Sequence, residues 1–472
     1  RANGRDNVDA VQHAMETAGH AVLFSGTTVG VGLVALAAIP IPFMRGMGVG
    51  SVIIPIVSVL VSLTLLPVIL ATVGPALDRV GWKRSGTPRK DEHRGWTRWG
   101  AFVVRHRWPA AIVGVAILLA LVIPATQMKL GDPRPDALNG TGGAAAGLAA
   151  LEQSGIGPGV LDAFEIVVHT SDAAVAGQVA QAAATVDGVR TAVAPASWMR
   201  NGIAVVLAVP QNDGSGEANA ALLPDLRHAV HSAPGTPLVG GRPAANGDLI
   251  DTLYHNFPLM LAAIAVATYV LLVRAFRSLL LPLKALALNV LSVGAAYGVL
   301  VLVWQEGWGS EAIWGIPSTG SITAWVPLMT FAFLFGLSMD YEVFILHRMR
   351  EEYDREEAIV SGRERTDRAI VRGLAATGKL VTCAALILCL AFIAMAGTPA
   401  TEIKIMATGL AAGIIIDATV VRTLLVPAIT SLMGHWNWWL KLPSWLTWLI
   451  PAPSTTPQPA EPVVREAAHR RG

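Results

Sequence analysis

Phe335-Gly336-Leu337-Ser338-Met339-Asp340-Tyr341-Glu342-Val343-Phe344 ends an almost wholly apolar run that begins at Ile322, and it sets a carboxylate inside that run. An apolar run of about 20 residues reads as a helix crossing a bilayer. A charged side chain at bilayer depth costs at least about 2.5 kcal/mol, so acids found there face a bundle interior and line an ion or substrate path. Asp340 is therefore the first candidate for a coupling-ion site, and the chain reads as a membrane transporter.

Composition agrees with a multi-pass membrane protein. Hydrophobic residues make up 53% of the chain and charged residues 14%, against about 25% charged in an ordinary soluble domain. The formal net charge of +2 gives no ground for a nucleic-acid partner. Cys383 and Cys389 share one apolar run, so they imply no disulfide framework and read as small lipid- or core-facing residues.

Working outward from Asp340, eight spans are expected, at about 21–40, 46–74, 108–127, 257–273, 279–303, 322–346, 379–397 and 403–433. Arginine and lysine gather in 75–107, in 347–379 and in the turn Arg274-Ala275-Phe276-Arg277. The positive-inside rule places these three segments in the cytoplasm. Residues 1–20 are then a cytoplasmic amphipathic segment, 21–74 a pair of spans, 75–107 a basic cytoplasmic linker, and 108–127 a further span. Residues 128–256 form an extracytoplasmic domain, 257–433 a five-span membrane domain, and 434–472 a Trp-rich interfacial segment with a disordered cytoplasmic tail. Trp304, Trp308, Trp314 and Trp325 suggest an outer aromatic belt.

The outside segment alternates period-2 and period-3.6 patterns. Strands are expected at Phe164–Val168, Gly188–Val193, Ile203–Val209 and 237–240, with helices at 173–185 and 217–232. That order, β-α-β-β-α-β, is the ferredoxin-like split.

The chain also repeats itself. Gly19, Met47, Gly50 and Thr64-Leu65-Leu66 recur as Gly378, Met406, Gly409 and Thr423-Leu424-Leu425 at a constant offset of 359 residues, and Pro67 matches Pro427 with one residue inserted. Transporters are often built from such repeats, with the binding region between the halves. The offset puts the counterpart of Asp340 upstream of Arg1, so the sequence reads as the last two spans of one half followed by a complete second half.

With these features in view, Gly336-Leu337-Ser338-Met339-Asp340-Tyr341-Glu342-Val343-Phe344 and the following Arg348-Met349-Arg350-Glu351-Glu352-Tyr353 resemble the MMPL (mycobacterial membrane protein large) transporters of the resistance-nodulation-division superfamily. Ile416-Asp417-Ala418-Thr419-Val420-Val421-Arg422, Leu425-Val426-Pro427-Ala428 and Asn437-Trp438-Trp439 carry the same resemblance. The resemblance implies an exporter of roughly twelve spans built from two repeats, with two porter domains outside. It implies drive by the proton gradient, lipids or hydrophobic drugs as cargo, and an Asp-Tyr pair in each half for proton relay. Asp340 and Tyr341 match one such pair.

On a helix, Gly336, Asp340 and Phe344 share one face, and Gly336 lets a neighbouring backbone approach Asp340. Tyr341 points about 100° away and faces a different neighbour. Asp417 is a second acid at membrane depth. Arg422 lies about 140° round an α-helix from it, so a direct pair is not expected, and a helix–helix lock is favoured for Asp417 over relay. Glu342 and His347 lie where the span nears the cytoplasm; a charged rim is the default for both, with His347 as a candidate proton exit.

Gly46-Met47-Gly48-Val49-Gly50 opens a span with no preceding strand, so it reads as close helix packing rather than a phosphate loop. The sequence calls for no cofactor, no metal and no enzymatic activity. Its expected partners are a lipid or hydrophobic small molecule, protons, the bilayer of the cell (inner) membrane, and a preceding half or a second copy of the chain. Proton-driven lipid export leads. Multidrug efflux by the same build, or a non-transporting scaffold or lipid sensor, stands beside it.

Overall fold

The computed structural model describes residues 7–37, 41–73, 94–134, 137, 143–155, 157–211, 216–276, 278–355 and 362–438. Most of the expected basic linker and the tail beyond Trp438, with Trp439, Trp445 and Trp448, lie outside the described residues.

Helix α1 (Asn7–Ala37) and α2 (Pro42–Leu63) pack as a hairpin, and the chain breaks at Thr64 before α3 (Leu65–Thr72). Helix α4 (Arg94–Arg105) leads into α5 (Arg107–Ala125). After α6 (Gly143–Gln153) come β1 (Phe164–His169), α7 (Ala173–Ala184), β2 (Val189–Val193), β3 (Ile203–Pro210), α8 (Gly216–His231) and β4 (Leu238–Gly240). Helix α9 (Arg242–Phe276) returns to the membrane part. Helix α10 (Leu280–Leu300) ends in a π turn, Val301–Gln305, and α11 (Ser310–Trp314) follows. The last elements are α12 (Trp325–Arg355), α13 (Gly362–Met395) and α14 (Thr401–Ile416), which passes through a π segment, Asp417–Leu425, into α15 (Val426–Met433).

Among the described residues, seven helical stretches are long and apolar enough to cross a membrane: Pro42–Thr72, Arg107–Ala125, Arg242–Arg274, Leu280–Gln305, Trp325–Arg355, Gly362–Met395 and Thr401–Trp438. They fall on seven of the expected spans, and α1 covers most of the eighth. The chain is a multi-pass helical membrane protein.

The α+β domain between α5 and α9 follows the expected strand and helix order. Its sheet is antiparallel in the order β2-β3-β1-β4, with Ile166 opposite both Val206 and Val239. That is the ferredoxin-like arrangement. Strand β1 alternates buried and exposed positions because one face meets α7 and α8 and the other does not. Phe164, Ile166, Val168, Val179, Val206 and Leu226 make the core. Asp172 starts α7 by accepting the Ala174 N–H at 2.8 Å.

Helix α12 is the hub of the membrane part. It packs against α1, α10, α13 and α14. Its first part, Trp325–Leu337, is apolar apart from Thr330, which fits a helix buried on all sides; Met329, Ala332, Phe335 and Met339 are fully buried. Beside it, α5 and α10 meet backbone to backbone. A Cβ at Gly298 would stand 1.6 Å from the Leu121 carbonyl oxygen, so a glycine is what permits this approach.

Two sequence expectations change here. Trp304 is not in an aromatic belt: it is fully buried and stacks on Trp314 at 4.9 Å between centroids. Trp308, 69% exposed, keeps a surface position. Asn437 and Trp438 are likewise buried rather than interfacial. Asn437 Nδ2 donates to the Thr430 and Gly434 carbonyls, and the Trp438 ring stacks on Tyr353 at 4.9 Å, so the pair plugs the ends of α12, α13 and α15. Trp436, half exposed, remains suited to an interface.

Candidate functional site

At mid-bundle, α12 faces the π segment that follows α14. Ser338 Oγ donates to Asp417 Oδ2 at 2.9 Å. Arg422 donates to the same Asp417 oxygen and, at 2.8 Å, to the Ser338 carbonyl. The Arg422 guanidinium also lies over the Tyr341 ring, 4.8 Å from its centroid. Asp417 and Arg422 are 7% and 3% exposed, so their charges meet where water does not screen them. A cavity of about 20 Å³ sits between these groups and Asn289 and Ser292 of α10, room for a single water-sized group.

The Asp417–Arg422 pair contradicts the expectation that five residues of helix keep them apart. Residues 417–425 are π-helical, with the Val426 N–H bonded to the Val421 carbonyl at i−5. A turn closed at i→i+5 puts residues five apart on one face. The sequence did carry the signal. Thr64-Leu65-Leu66-Pro67 becomes Thr423-Leu424-Leu425-Val426-Pro427 in the second copy. One extra residue in a helix whose ends stay in register must be taken up by a wider turn. The first copy leaves the α-helix at the same place, by the break at Thr64.

The other expected residues divide. Asp340 stands on α12, on the helix face it shares with Gly336 and Phe344, and its side chain lies outside the described residues. Gly336 meets α1: a Cβ there would lie 3.6 Å from Val29 Cα, in ordinary contact. Gly336 is therefore turned toward the first copy of the repeat, and Tyr341 toward the second. Phe344 packs against the membrane core, half-buried. His347 is exposed, as a rim residue would be, and is no part of the network.

Glu342 is not a rim residue. It is 3% exposed, and among the described residues its Oε1 has no hydrogen-bond partner. Its charge faces Lys284 of α10, whose Nζ donates to Thr430 Oγ1 at 2.7 Å. Sequence reading missed Ser338, Lys284 and Thr430. Lys284 was legible as a lone cation in an apolar span, whereas Ser338 and Thr430 carry no signal beyond an ordinary hydroxyl.

The sequence signature of the MMPL family matches residues 1–112 and 163–448. The chain is 33% identical over 465 residues to the mycolic acid-containing lipids exporter MmpL11 of Mycolicibacterium smegmatis, across 95% of this chain and 47% of that protein. It is 34% identical over 470 residues to the heme uptake protein MmpL11 of Mycobacterium tuberculosis, across 95% and 46%. With the trehalose monomycolate exporter MmpL3 of M. tuberculosis it shares 30% over 487 residues, across 94% and 50%. The chain spans about half the length of these curated relatives. With a signature that takes in the four-stranded sheet, α12 and the π segment alike, the chain belongs to the MMPL family.

Proposed function

We propose that this chain forms part of a proton-driven secondary transporter that exports lipids or other hydrophobic molecules across the cell membrane. The observation that carries the reading is the buried Ser338–Asp417–Arg422–Tyr341 network one residue away from Asp340. An acid one residue along the same helix from a residue that contacts a fixed ion pair can bind a proton and pass the effect to neighbours on two sides, which supports the reading. Asp340 is the proton carrier. Gly336 holds its face against α1, and Tyr341 links it to Arg422. Two of the relatives are named as lipid exporters, which supports an amphipathic lipid as cargo.

In this mechanism the proton binds Asp340 from outside and leaves toward the Arg-rich cytoplasmic ends of the helices. Protonation removes its charge, so the two arrangements of α12 hold the protonated and the ionised acid unequally. A proton crossing about 100 mV releases about 2.3 kcal/mol, enough to tilt a bundle whose two states differ by a few kcal/mol.

Asp340→Asn tests this. In proteoliposomes with an imposed proton gradient, the variant is expected to lose gradient-driven lipid movement and lipid-dependent proton flux while still binding lipid. Unchanged flux in the variant would remove Asp340 from the coupling and favour a scaffold or lipid sensor. Heme, cationic drugs and lipid offered to the unaltered protein decide among the cargo classes.

A further inference from the structure

Glu342 and Lys284 form a second charged cluster in the membrane part, one helical turn along α12 from Ser338. Glu342 follows Ser338 by four residues, so the two share a face. Ser338 bonds Asp417, whereas Glu342 faces Lys284 of α10. Both are buried, Glu342 at 3% exposed and Lys284 at 8%. Lys284 Nζ donates to Thr430 Oγ1 at 2.7 Å. The Thr430 hydroxyl itself donates to the Val426 carbonyl at 2.6 Å, which leaves its oxygen to accept from the lysine. Among the described residues, Glu342 Oε1 has no such partner.

A buried polar oxygen without a partner is held at a cost, and taking up a proton gives Glu342 an O–H and removes its charge. The charges that bear on it are Lys284 from α10 and Asp417 and Arg422 from the π segment. With Glu342 ionised these four sum to zero, and Lys284 draws α10 toward α12. With Glu342 protonated that attraction is gone. Asp340, Tyr341 and Glu342 follow one another at steps of about 100° round the helix, so the phenol stands between the two acids. A phenol can accept one proton while donating its own. Glu342 is also nearer than Asp340 to the end of α12 that carries Arg348, Arg350 and Arg355.

Resting on the transport reading, we infer that Glu342 is a second proton carrier, which accepts the proton leaving Asp340 and hands it to water at the arginine-rich end. The Asp340 carboxylate is restored as the Glu342 carboxylic acid forms, so charge is conserved in the transfer. While Glu342 holds the proton, α10 is free to move against α12. Lys284 is a positioning residue: its bond to Thr430 keeps the cation facing Glu342.

Lipid-dependent proton flux in proteoliposomes and infrared titration of the full chain test the inference together. Glu342→Gln is expected to lower the flux about 100-fold while lipid still binds. Because this variant leaves Lys284 without a counter-charge, Glu342→Gln with Lys284→Met is measured beside it. The double variant has neither charge and is expected to fold and still to lack flux. Glu342→Asp keeps an acid and should restore part of the flux. In the infrared, a carboxylic-acid band that titrates with pH should vanish in Glu342→Gln. Wild-type flux in Glu342→Gln, flux regained in the double variant, or an unaltered set of titrating bands would overturn the inference and leave the transport reading standing, provided that Asp340→Asn is inactive. Wild-type flux in Asp340→Asn would remove both.

Discussion

Asp417 and Arg422 each hold the other in a place where neither charge would survive alone. Removing one partner of such a pair leaves an uncompensated buried charge and costs about 3–5 kcal/mol. Arg422→Gln should destabilise the protein by about that amount, and Asp417→Asn with Arg422→Gln by less than the two single changes together. Denaturation of the four proteins of this cycle in nanodiscs measures the coupling; strictly additive losses would mean that the pair does not act as one. Arg422→Lys is not a conservative change here, because the flat guanidinium both bonds Ser338 and covers the Tyr341 ring.

Outside the membrane part, Asp132 is the residue with a pH signature. Its backbone carbonyl accepts from Ser321 Oγ at 2.8 Å, and its carboxylate lies 3.8 Å from Arg242 at the head of α9. Burial pushes its carboxyl above the ordinary carboxylate value; Arg242 pulls it down, and Asp162 adds a smaller upward push. The folded protein thus binds more protons than the unfolded chain between the ordinary value of 3.8 and the raised one. Stability contributed at this site is present at low pH and is lost as pH rises through that window. Asp132→Asn removes the titration, so its thermal midpoint should gain on the wild type as pH climbs from below 4 toward neutrality. A constant offset between the two proteins at every pH would contradict this account.

At the scale of the element, the π segment Asp417–Leu425 is what converts a sequence spacing into a site. Deleting the exposed Thr419 should let the span return to α-helical winding. Arg422 then follows Asp417 by four residues, about 40° round and one α-turn on, so the pair stays within reach. Because the wider turn takes up one extra residue, the α-helix that replaces it keeps everything beyond in register, and Lys284 and Asn437 keep their bonds to Thr430. The deletion is therefore expected to spare both the Asp417–Arg422 pair and α15, read as unchanged hydrogen exchange in α15. Faster exchange in α15 with α14 unchanged would show instead that the wider turn sets the register of the segment beyond it.

The α+β domain was legible from its sequence because period-2 strands such as Phe164-Glu165-Ile166-Val167-Val168 are bounded by Gly and Asp, which have local conformational causes. The π segment was legible only in the residue inserted before Pro427, which an angle computed for a regular helix does not register. Glu342 was misplaced for a related reason. Its distance from the last apolar residue suggested a rim, whereas the buried plug of Asn437 and Trp438 carries the packed interior further along α12. The approach of Gly336 to α1 needed only the periodicity of one helix.

At the scale of the whole molecule, several arginines gather at one end of the bundle. Arg107 reaches Asp367, Arg365 donates to the Tyr353 carbonyl, and Arg350 lies over the Trp438 ring at 5.5 Å. These contacts bring α5, α12, α13 and the segment after α15 together at a single basic face. The four-stranded sheet meets the membrane part elsewhere, where β4 runs into α9 and Arg242 at its head reaches Asp132. Positive charge near span ends is retained on the cytoplasmic side, so the basic face should be cytoplasmic and the sheet extracytoplasmic. Single cysteines test this once Cys383 and Cys389 have been replaced by serine. In intact cells, a membrane-impermeant maleimide is expected to label Thr185→Cys, which lies at the exposed end of α7, and to reach Glu364→Cys, at the start of α13, only after the membrane is opened. The reverse pattern would invert the molecule in the membrane. It would also reverse the direction in which a proton descends from Asp340 to the arginine-rich end, and export by that proton would no longer follow.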